Sequence, residues 1–537
     1  MGIVTRRAAW RDGADNGWHD DLIWYAAAIH RMKQLTPGLD EFYPLAIEAL
    51  DNGLTQDLFD RISAIVVQWS DPMSLGYQSQ VHGTFLLDPA GWPRYKMRPV
   101  LWQECAHSQW FFLPWHRAYL VEFEAVVRAH IRALDGPADT WALPYWNTSD
   151  WRTDSTRLGL PLPLRDETLP AGVDVPGVEA GADGSRPNPL FDPTRLPDVP
   201  LPNGSPSWAD AMRCLLRPHF ANEDDTSRTN ISFGGGVLDD PTNQADFHGR
   251  AGETGALDAQ PHGTVHTHVG GTMGAFETAG LDPVFWMHHC NVDRLWETYA
   301  HDLEHGYPFQ NGSGVGTRAH RSWITRRYRF IQPSGSIRTW TAPQVLDVGA
   351  LGYAYDTTAP PPLPPAPPPP PGSDVGPFGI APGGHPAEPI AAAGPVSLAE
   401  EQDIAVSAGA GAGDVGVGDF PQGATWGLRF EGIRAARPAP TSYDVYLGLA
   451  PGALADPGDA EHYAGVLSLF GVAEASRDDG TSSGSGQRRR LDVTEQVAAQ
   501  ADTLRPLATS VRLVPIDPGR DLAGAGLTVE RITLEFA

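Results

Sequence analysis

Apolar positions recur at helical spacing through the first half of the chain and at every second residue near its end. Leu22, Tyr25, Ala26, Ile29 and Met32 keep a helical period, and Leu58, Ile62, Ile65 and Val66 repeat it until Asp71-Pro72 breaks the pattern. Residues 1–70 therefore read as helical after a short leading segment. A second run starts at Pro114, where His116, Leu120, Phe123 and Val127 fall at i, i+4, i+7 and i+11. The third is LDPVFWMHHCNVDRLWETY, from Leu281 to Tyr299. Pro283 suits the first turn of a helix, and Phe285, His289, Val292 and Trp296 form one buried stripe along it. His288 sits roughly 100° away around such a helix, so the two histidines differ in role.

Between these runs lies a stretch rich in Pro, Gly and Asp, residues 152–245, which reads as an insertion laid over a helical core. Residues 300–355 close that domain with short apolar runs. A proline-rich linker follows, with Pro360–Pro362, Pro364, Pro365 and Pro367–Pro371 set for polyproline II. Beyond it the period becomes two: Trp426, Leu428 and Phe430; Tyr443, Val445 and Leu447; Ile532, Leu534 and Phe536. The predicted organisation is a mainly α domain over 1–356, a linker over 357–393 and a β-rich, sandwich-like domain over 394–537. Ser476–Gly486 and the basic run Arg488-Arg489-Arg490 after it read as a flexible loop and a solvated basic loop, with a processing site as the minor alternative.

The chain has 537 residues, enough for two or three domains, and a net charge of −26. That charge argues against nucleic acid or an anionic membrane surface as partner. No run approaches the roughly 18 apolar residues of a membrane span. Arg6 and Arg7 precede no apolar segment, so no signal peptide is visible and a cytoplasmic location is expected; export with a partner protein would leave the same trace. Three cysteines (Cys105, Cys214 and Cys290) make no disulfide framework.

The histidines carry the chemistry. PHGTVHTHVGG places His262 and His266 at i, i+4, upstream of His289. Ahead of His116 stand His107 in ECAHSQW and His82 in QSQVHGTF, the latter with nothing periodic to fix its direction. His30, on the first helix, is read as structural. Two triads result: His82, His107, His116 and His262, His266, His289. Neither has an obvious carboxylate ligand, unlike di-iron bundles and most two-metal hydrolases. Neutral imidazoles suit copper, zinc or nickel, and copper stands highest in affinity. A facing copper pair would supply two electrons to O2; a pair of zinc hydrolase sites stays open on these residues alone.

FFLPWHR, PHGTVHTHVGGTM and DPVFWMHHCNVDRLW, in that order and spacing, resemble the type 3 copper family of tyrosinases, catechol oxidases and hemocyanins, over roughly residues 20–355. The resemblance implies a four-helix bundle holding two copper ions, with His82, His107 and His116 on the first and His262, His266 and His289 on the second. His288 then stands behind the ligands, Asp293 and Arg294 hold their helix by ion pairing, and Tyr353 and Tyr355 belong to the motif that ends the domain. Cys105, two residues before His107, matches the cysteine that several members join to that histidine by a thioether. Asp258 and Glu253 are candidates to orient a water that accepts the phenol proton, and Phe276 to control access over the second copper. Gly263 replaces an Asn frequent in monophenol hydroxylases, and Asn147 replaces a common Asp.

What the resemblance implies is oxidation of o-diphenols to o-quinones with O2 as co-substrate and weaker monophenol hydroxylation. An o-aminophenol oxidase and a hemocyanin-like O2 carrier are the alternatives. The expected partners are a small phenolic substrate and a copper-delivery protein. Relatives also carry a C-terminal domain that inserts a residue above the copper pair and keeps the enzyme latent; Tyr463–Phe470 is the nearest match here.

Overall fold

The computed structural model describes residues 2–10, 17–84, 102, 104–196, 205–222, 232–237, 254–310, 315–362, 380–381, 388–408, 420, 424–477, 484–501, 504 and 508–536. Most of the proline-rich linker, and Glu253, lie outside these residues.

The helical half follows the apolar periods. Helix α1 (Asp20–Gln34) buries Leu22, Tyr25, Ala26, Ile29 and Met32. After α2 (Leu39–Asn52), α3 (Gln56–Val66) starts on Thr55, whose side chain accepts from Leu58 N–H and satisfies one of the free donors of the first turn. Helix α4 (Leu75–His82) is capped the same way by Ser74. The long helix α5 (Phe112–Ala133) has Pro114 in its first turn and packs against α1. Short helices α6 (Met212–Leu215) and α7 (Thr264–Val269) precede α8 (Pro283–Glu297), and α9 (Arg318–Thr325) follows it.

Every residue of α8 is buried. Its N-cap Asp282 accepts from Val284 N–H at 2.8 Å and is paired with Arg195 of the 152–245 stretch at 2.7 Å. Helix α8 packs on α5, with Trp286 stacked on Phe123 (interplanar angle 4°). Its C-terminal half is held by charge. Asp293 takes Arg117 at 2.5 Å, Arg6 at 3.3 Å and the hydroxyls of Tyr353 and Tyr355 at 2.7 and 2.5 Å. Against the burial that would raise it, Arg117 and Arg6 keep the Asp293 carboxyl below its ordinary range. Arg6 and the two tyrosines are themselves placed by a parallel pair of strands, β1 (Val4–Arg6) and β2 (Tyr353–Tyr355), which the helical reading of residues 1–70 had not foreseen. Arg294 differs from its expected role. It donates to Asn147 and Asn291, both at 3.0 Å, and pairs with no carboxylate among the described residues, because Asn147 offers an amide where an acid would complete the pair.

The second half is built on an eight-stranded antiparallel sheet. Its strands in chain order are β3 (Glu388–Ala393), β4 (Gln402–Ala408), β5 (Trp426–Ile433), β6 (Tyr443–Leu447), β7 (Tyr463–Leu467), β8 (Gln487–Asp492), β9 (Ala508–Pro515) and β10 (Arg531–Phe536). They lie in the order β7-β6-β9-β4-β3-β10-β5-β8. The sheet curls until its two edges meet: a Cβ on Gly465 of β7 would stand 3.7 Å from Leu491 of β8. In place of two facing layers of similar size, the expected sandwich is a large curled sheet with a two-stranded sheet, Val396–Leu398 with Leu527–Val529, against the same core, a distinction that alternation of residues does not carry. Strand β3 begins at Glu388, inside the stretch assigned to the linker, because its Glu-Pro-Ile-Ala-Ala-Ala sequence has the composition of a spacer. The arginine run is also corrected. Gln487–Asp492 is an edge strand, and Arg489 and Arg490 are buried. No helix among the described residues is long and apolar enough to cross a membrane.

Candidate dinuclear metal centre

All six predicted histidines are buried at one place between α4, α5, α7 and α8. His82 is the last residue of α4, His116 lies in the second turn of α5, and His289 lies on α8. His107 comes from the segment leading into α5. His266 is on α7, but His262 lies in the turn ahead of it, where Gln260 leaves helical geometry (φ −150°, ψ 126°). In the first group the ring centroids of His82, His107 and His116 are 5.0, 5.0 and 5.6 Å apart. In the second, those of His262, His266 and His289 are 4.7, 4.9 and 5.5 Å apart. The groups face each other, with His116 stacked on His289 at 4.6 Å and His107 on His262 at 5.6 Å.

Backbone carbonyls orient four of the rings. Nδ1 of His82 meets Phe276 O at 3.0 Å, that of His116 meets Phe112 O at 2.8 Å, that of His262 meets Asp258 O at 3.0 Å, and that of His266 meets Met273 O at 2.8 Å. Donation from Nδ1 fixes the tautomer whose Nε2 carries the lone pair, which is how metal-binding histidines are prepared. Burial and then neighbouring imidazoles push His116, His266 and His289 well below the ordinary histidine pKa, so these rings are neutral at pH 7. Nε2 of His262 has no hydrogen-bonding partner among the described residues. Buried, neutral, pre-oriented imidazoles are a donor set that fits copper.

His288 is closer to the second group than expected. Ligand atoms of His262, His266 and His288 lie within 4.8 Å of one another, while His289 Nε2 is 3.4 Å from His266 Nε2. In the first group Cys105 falls within the same limit as His82, His107 and His116, with Sγ 3.4 Å from His107 Nδ1.

Asp258 sits at the edge of the centre with both oxygens engaged. One accepts from Ser108 N–H at 2.6 Å, and the other meets His262 Nδ1 at 3.1 Å. Phe276 is buried against the first group, stacked on His107 at 4.5 Å, whereas the resemblance implied a place over the second. The reason is the turn that delivers it, which is fixed by its carbonyl on His82 and its N–H on Glu474 Oε1 at 3.2 Å. The sequence left unassigned the ring that does cover the second group. Phe470 of the β domain stacks on His266 at 4.0 Å (13°) and meets Phe276 edge-on at 4.5 Å. Two glycines permit this approach. A Cβ on Gly263 would come 2.5 Å from Ser468 Oγ, and one on Gly471 (φ +77°) would come 2.4 Å from the Phe276 ring.

A family model described as the common central domain of tyrosinase matches residues 74–302, the span that contains all six histidines. A second, described as a domain of unknown function (DUF7868), matches residues 414–536. Tyrosinase HcTyr1 of Hahella sp. is 28% identical over 496 residues, covering 89% of this chain and 88% of that protein. The chloroplastic (+)-larreatricin hydroxylase of Larrea tridentata is 25% identical over 310 residues, 53% of this chain and 44% of its own length. Among solved structures, latent aurone synthase, a polyphenol oxidase, aligns over all of this chain and 89% of its own with a TM-score of 0.52 at 18% identity. Latent apple tyrosinase aligns over all of this chain and 98% of its own with a TM-score of 0.51 at 19% identity. The two structures share the fold, helical domain and β-rich domain together. With the central-domain match and the facing histidine groups, residues 74–302 form a tyrosinase-type central domain of the type 3 copper kind.

Proposed function

We propose that the protein oxidises o-diphenols to o-quinones with O2, hydroxylates monophenols more slowly, and is latent in its intact form. Stacking of Phe470 on His266 carries this reading, because it puts a side chain of the β domain where a substrate ring would lie. His82, His107 and His116 would hold one copper and His262, His266 and His289 the other. His288 is the second candidate for the latter, on its distance to His262 and His266. When bound, the copper pair supplies the two-electron exchange with O2. The chain's own groups orient and enclose. Asp258 holds the His262 ring and anchors it to Ser108, which makes it a positioning residue. Phe276, against His107, narrows the approach for the phenol. Gly263 offers no side chain to hold a water beside the second group, which favours catechols, already bearing both oxygens, over monophenols. The 3.4 Å contact of Cys105 Sγ with His107 supports a thioether between them, which would remove one rotational freedom from that ligand. A small phenol is the expected partner, and a copper-delivery protein and a cytoplasmic setting remain part of the reading.

The test compares the copper-loaded intact chain with its catalytic domain, freed by cleavage between Tyr355 and Ile390 and separated from the β domain. The freed domain should oxidise catechol severalfold faster, and catechol much faster than the matched phenol. Equal rates for intact and freed protein, both copper-loaded, would sink latency. Stoichiometric zinc with no O2-dependent absorbance would sink the oxidase, and reversible O2 binding without turnover in the freed domain would favour the carrier.

A further inference from the structure

The buried arginines of β8 face a cleft between the domains. Arg213 and Arg217, on and just past α6, lie across it from Arg489 and Arg490, with Thr254 and Gln260 in the wall. Two of the four are neutralised, Arg217 by Asp492 at 2.9 Å and Arg490 by Glu535 at 2.7 Å. The other two have no carboxylate within 4.0 Å among the described residues. Arg213 donates to the carbonyls of Ala464 and Tyr463 at 3.0 and 2.6 Å. Arg489, 8% exposed, donates to Thr254 Oγ1 at 2.9 Å and to the carbonyls of Arg488, Ser468 and Phe470 at 3.1, 3.3 and 3.3 Å. Burial pulls the Arg489 pKa down to about 10, and the carboxylate that acts on it, Asp258, is engaged with Ser108 and His262. Asp444, which feels the charge of Arg213, accepts instead from Tyr463 Oη at 3.0 Å.

The cleft thus brings together one arginine from each domain with no carboxylate partner among the described residues, a pairing that an anion between them would stabilise. General basicity does not account for it, since the chain carries a net −26. Small residues, Ala256, Ala259 and Gly465, line the cleft, and a Cβ added to Gly465 would meet Arg213 Nη1 at 3.7 Å, an ordinary contact. Guanidinium groups match tetrahedral oxyanions through paired N–H donors.

We propose that this cleft binds one small dianionic oxyanion, of the inorganic phosphate or sulfate kind, bridging Arg213 of the catalytic domain and Arg489 of the β domain. The full-length, copper-loaded protein is heated in sodium phosphate, sodium sulfate or sodium chloride at equal ionic strength and pH 8, and radiolabelled phosphate is followed by equilibrium dialysis. Phosphate or sulfate should raise the Tm saturably where chloride does not, with one ion bound per chain, and the larger shift identifies the preferred oxyanion. Arg213→Met and Arg489→Met should each weaken binding about tenfold or more, the loss of a charge-assisted pair. Should Arg489→Met fail to fold, Arg489→Lys, which keeps the charge and loses the fork, should still weaken it. Equal shifts in all three salts, or unchanged affinity in Arg213→Met, would overturn the proposal. Neither readout involves turnover, so the outcome is independent of latency.

Discussion

Gly263, the residue after a proposed copper ligand, is a place where a side chain would collide with the other domain, 2.5 Å from Ser468 Oγ. Gly263→Asn should therefore push the Phe470 loop outward and raise catechol oxidation by the intact chain toward that of the freed domain; an unchanged intact rate would show that the loop yields without leaving the site. His289 and His288 differ in another way. His289 stacks on His116 of the opposite group, whereas the histidine rings that His288 meets among the described residues are those of its own group. His289→Ala should lose one copper and all oxidase activity, and His288→Ala should keep most of its metal, as read by elemental analysis. Asp293 answers two buried guanidinium groups and two phenols. Asp293→Ala should cost about 3–5 kcal/mol in denaturant unfolding, since it leaves Arg6 and Arg117 buried without their shared partner.

At the scale of elements, the segment that follows β7 carries Phe470 into the site and then turns into a short helix, Val472–Ala475, that bears Glu474. Glu474 lies within hydrogen-bonding reach of Glu277 of the catalytic domain, and Arg477 pairs with Glu277 at 2.5 Å. Burial first, and then the charge of Glu277, push Glu474 up to about 8, while Arg477 keeps Glu277 low against its own burial. The docked state thus holds a proton that a solvated Glu474 releases near its ordinary 4.5. The Glu474 contribution to docking therefore weakens as pH rises from about 4.5 toward about 8, while that of Glu277 is lost only below its ordinary range. The ratio of intact-chain to freed-domain activity should climb over that window, and Glu474→Gln, neutral at every pH, should flatten it. A ratio that is flat in the parent would show that this pair does not govern docking.

For the whole molecule, the same cluster that serves chemistry also holds the helices together. The six histidines come from four helices and two connecting segments, so a metal binding the folded arrangement alone adds its binding energy to stability. Removing copper with a chelator should lower the Tm of the freed catalytic domain, and restoring it should recover the loss. The β domain, which has its own core, should melt at the same temperature with and without copper once separated.

The local code was enough for the helices, for three strand runs and for the histidine pairs, because 3.6- and two-residue periods and i, i+4 spacing act within a few residues. His116, His266 and His289 were legible as inward-facing from those periods, and the family motifs placed the rest. What the sequence could not determine depends on residues far apart in the chain. Phe470 on His266, Glu474 on Phe276, Arg489 on Thr254 and Arg6 on Asp293 join positions with no shared pattern. The arginine run shows the physical reason most directly. Three successive charges imply solvent in isolation, yet Arg489 and Arg490 are buried, because β8 is an edge strand closed by the catalytic domain. The Thr254 hydroxyl of that domain accepts from Arg489, while carbonyls and the Glu535 carboxylate of the β domain itself meet the rest. Periodicity determines which face of an element is apolar; tertiary packing decides what that face meets, and so decided which ring covers the metal centre and where charge is buried.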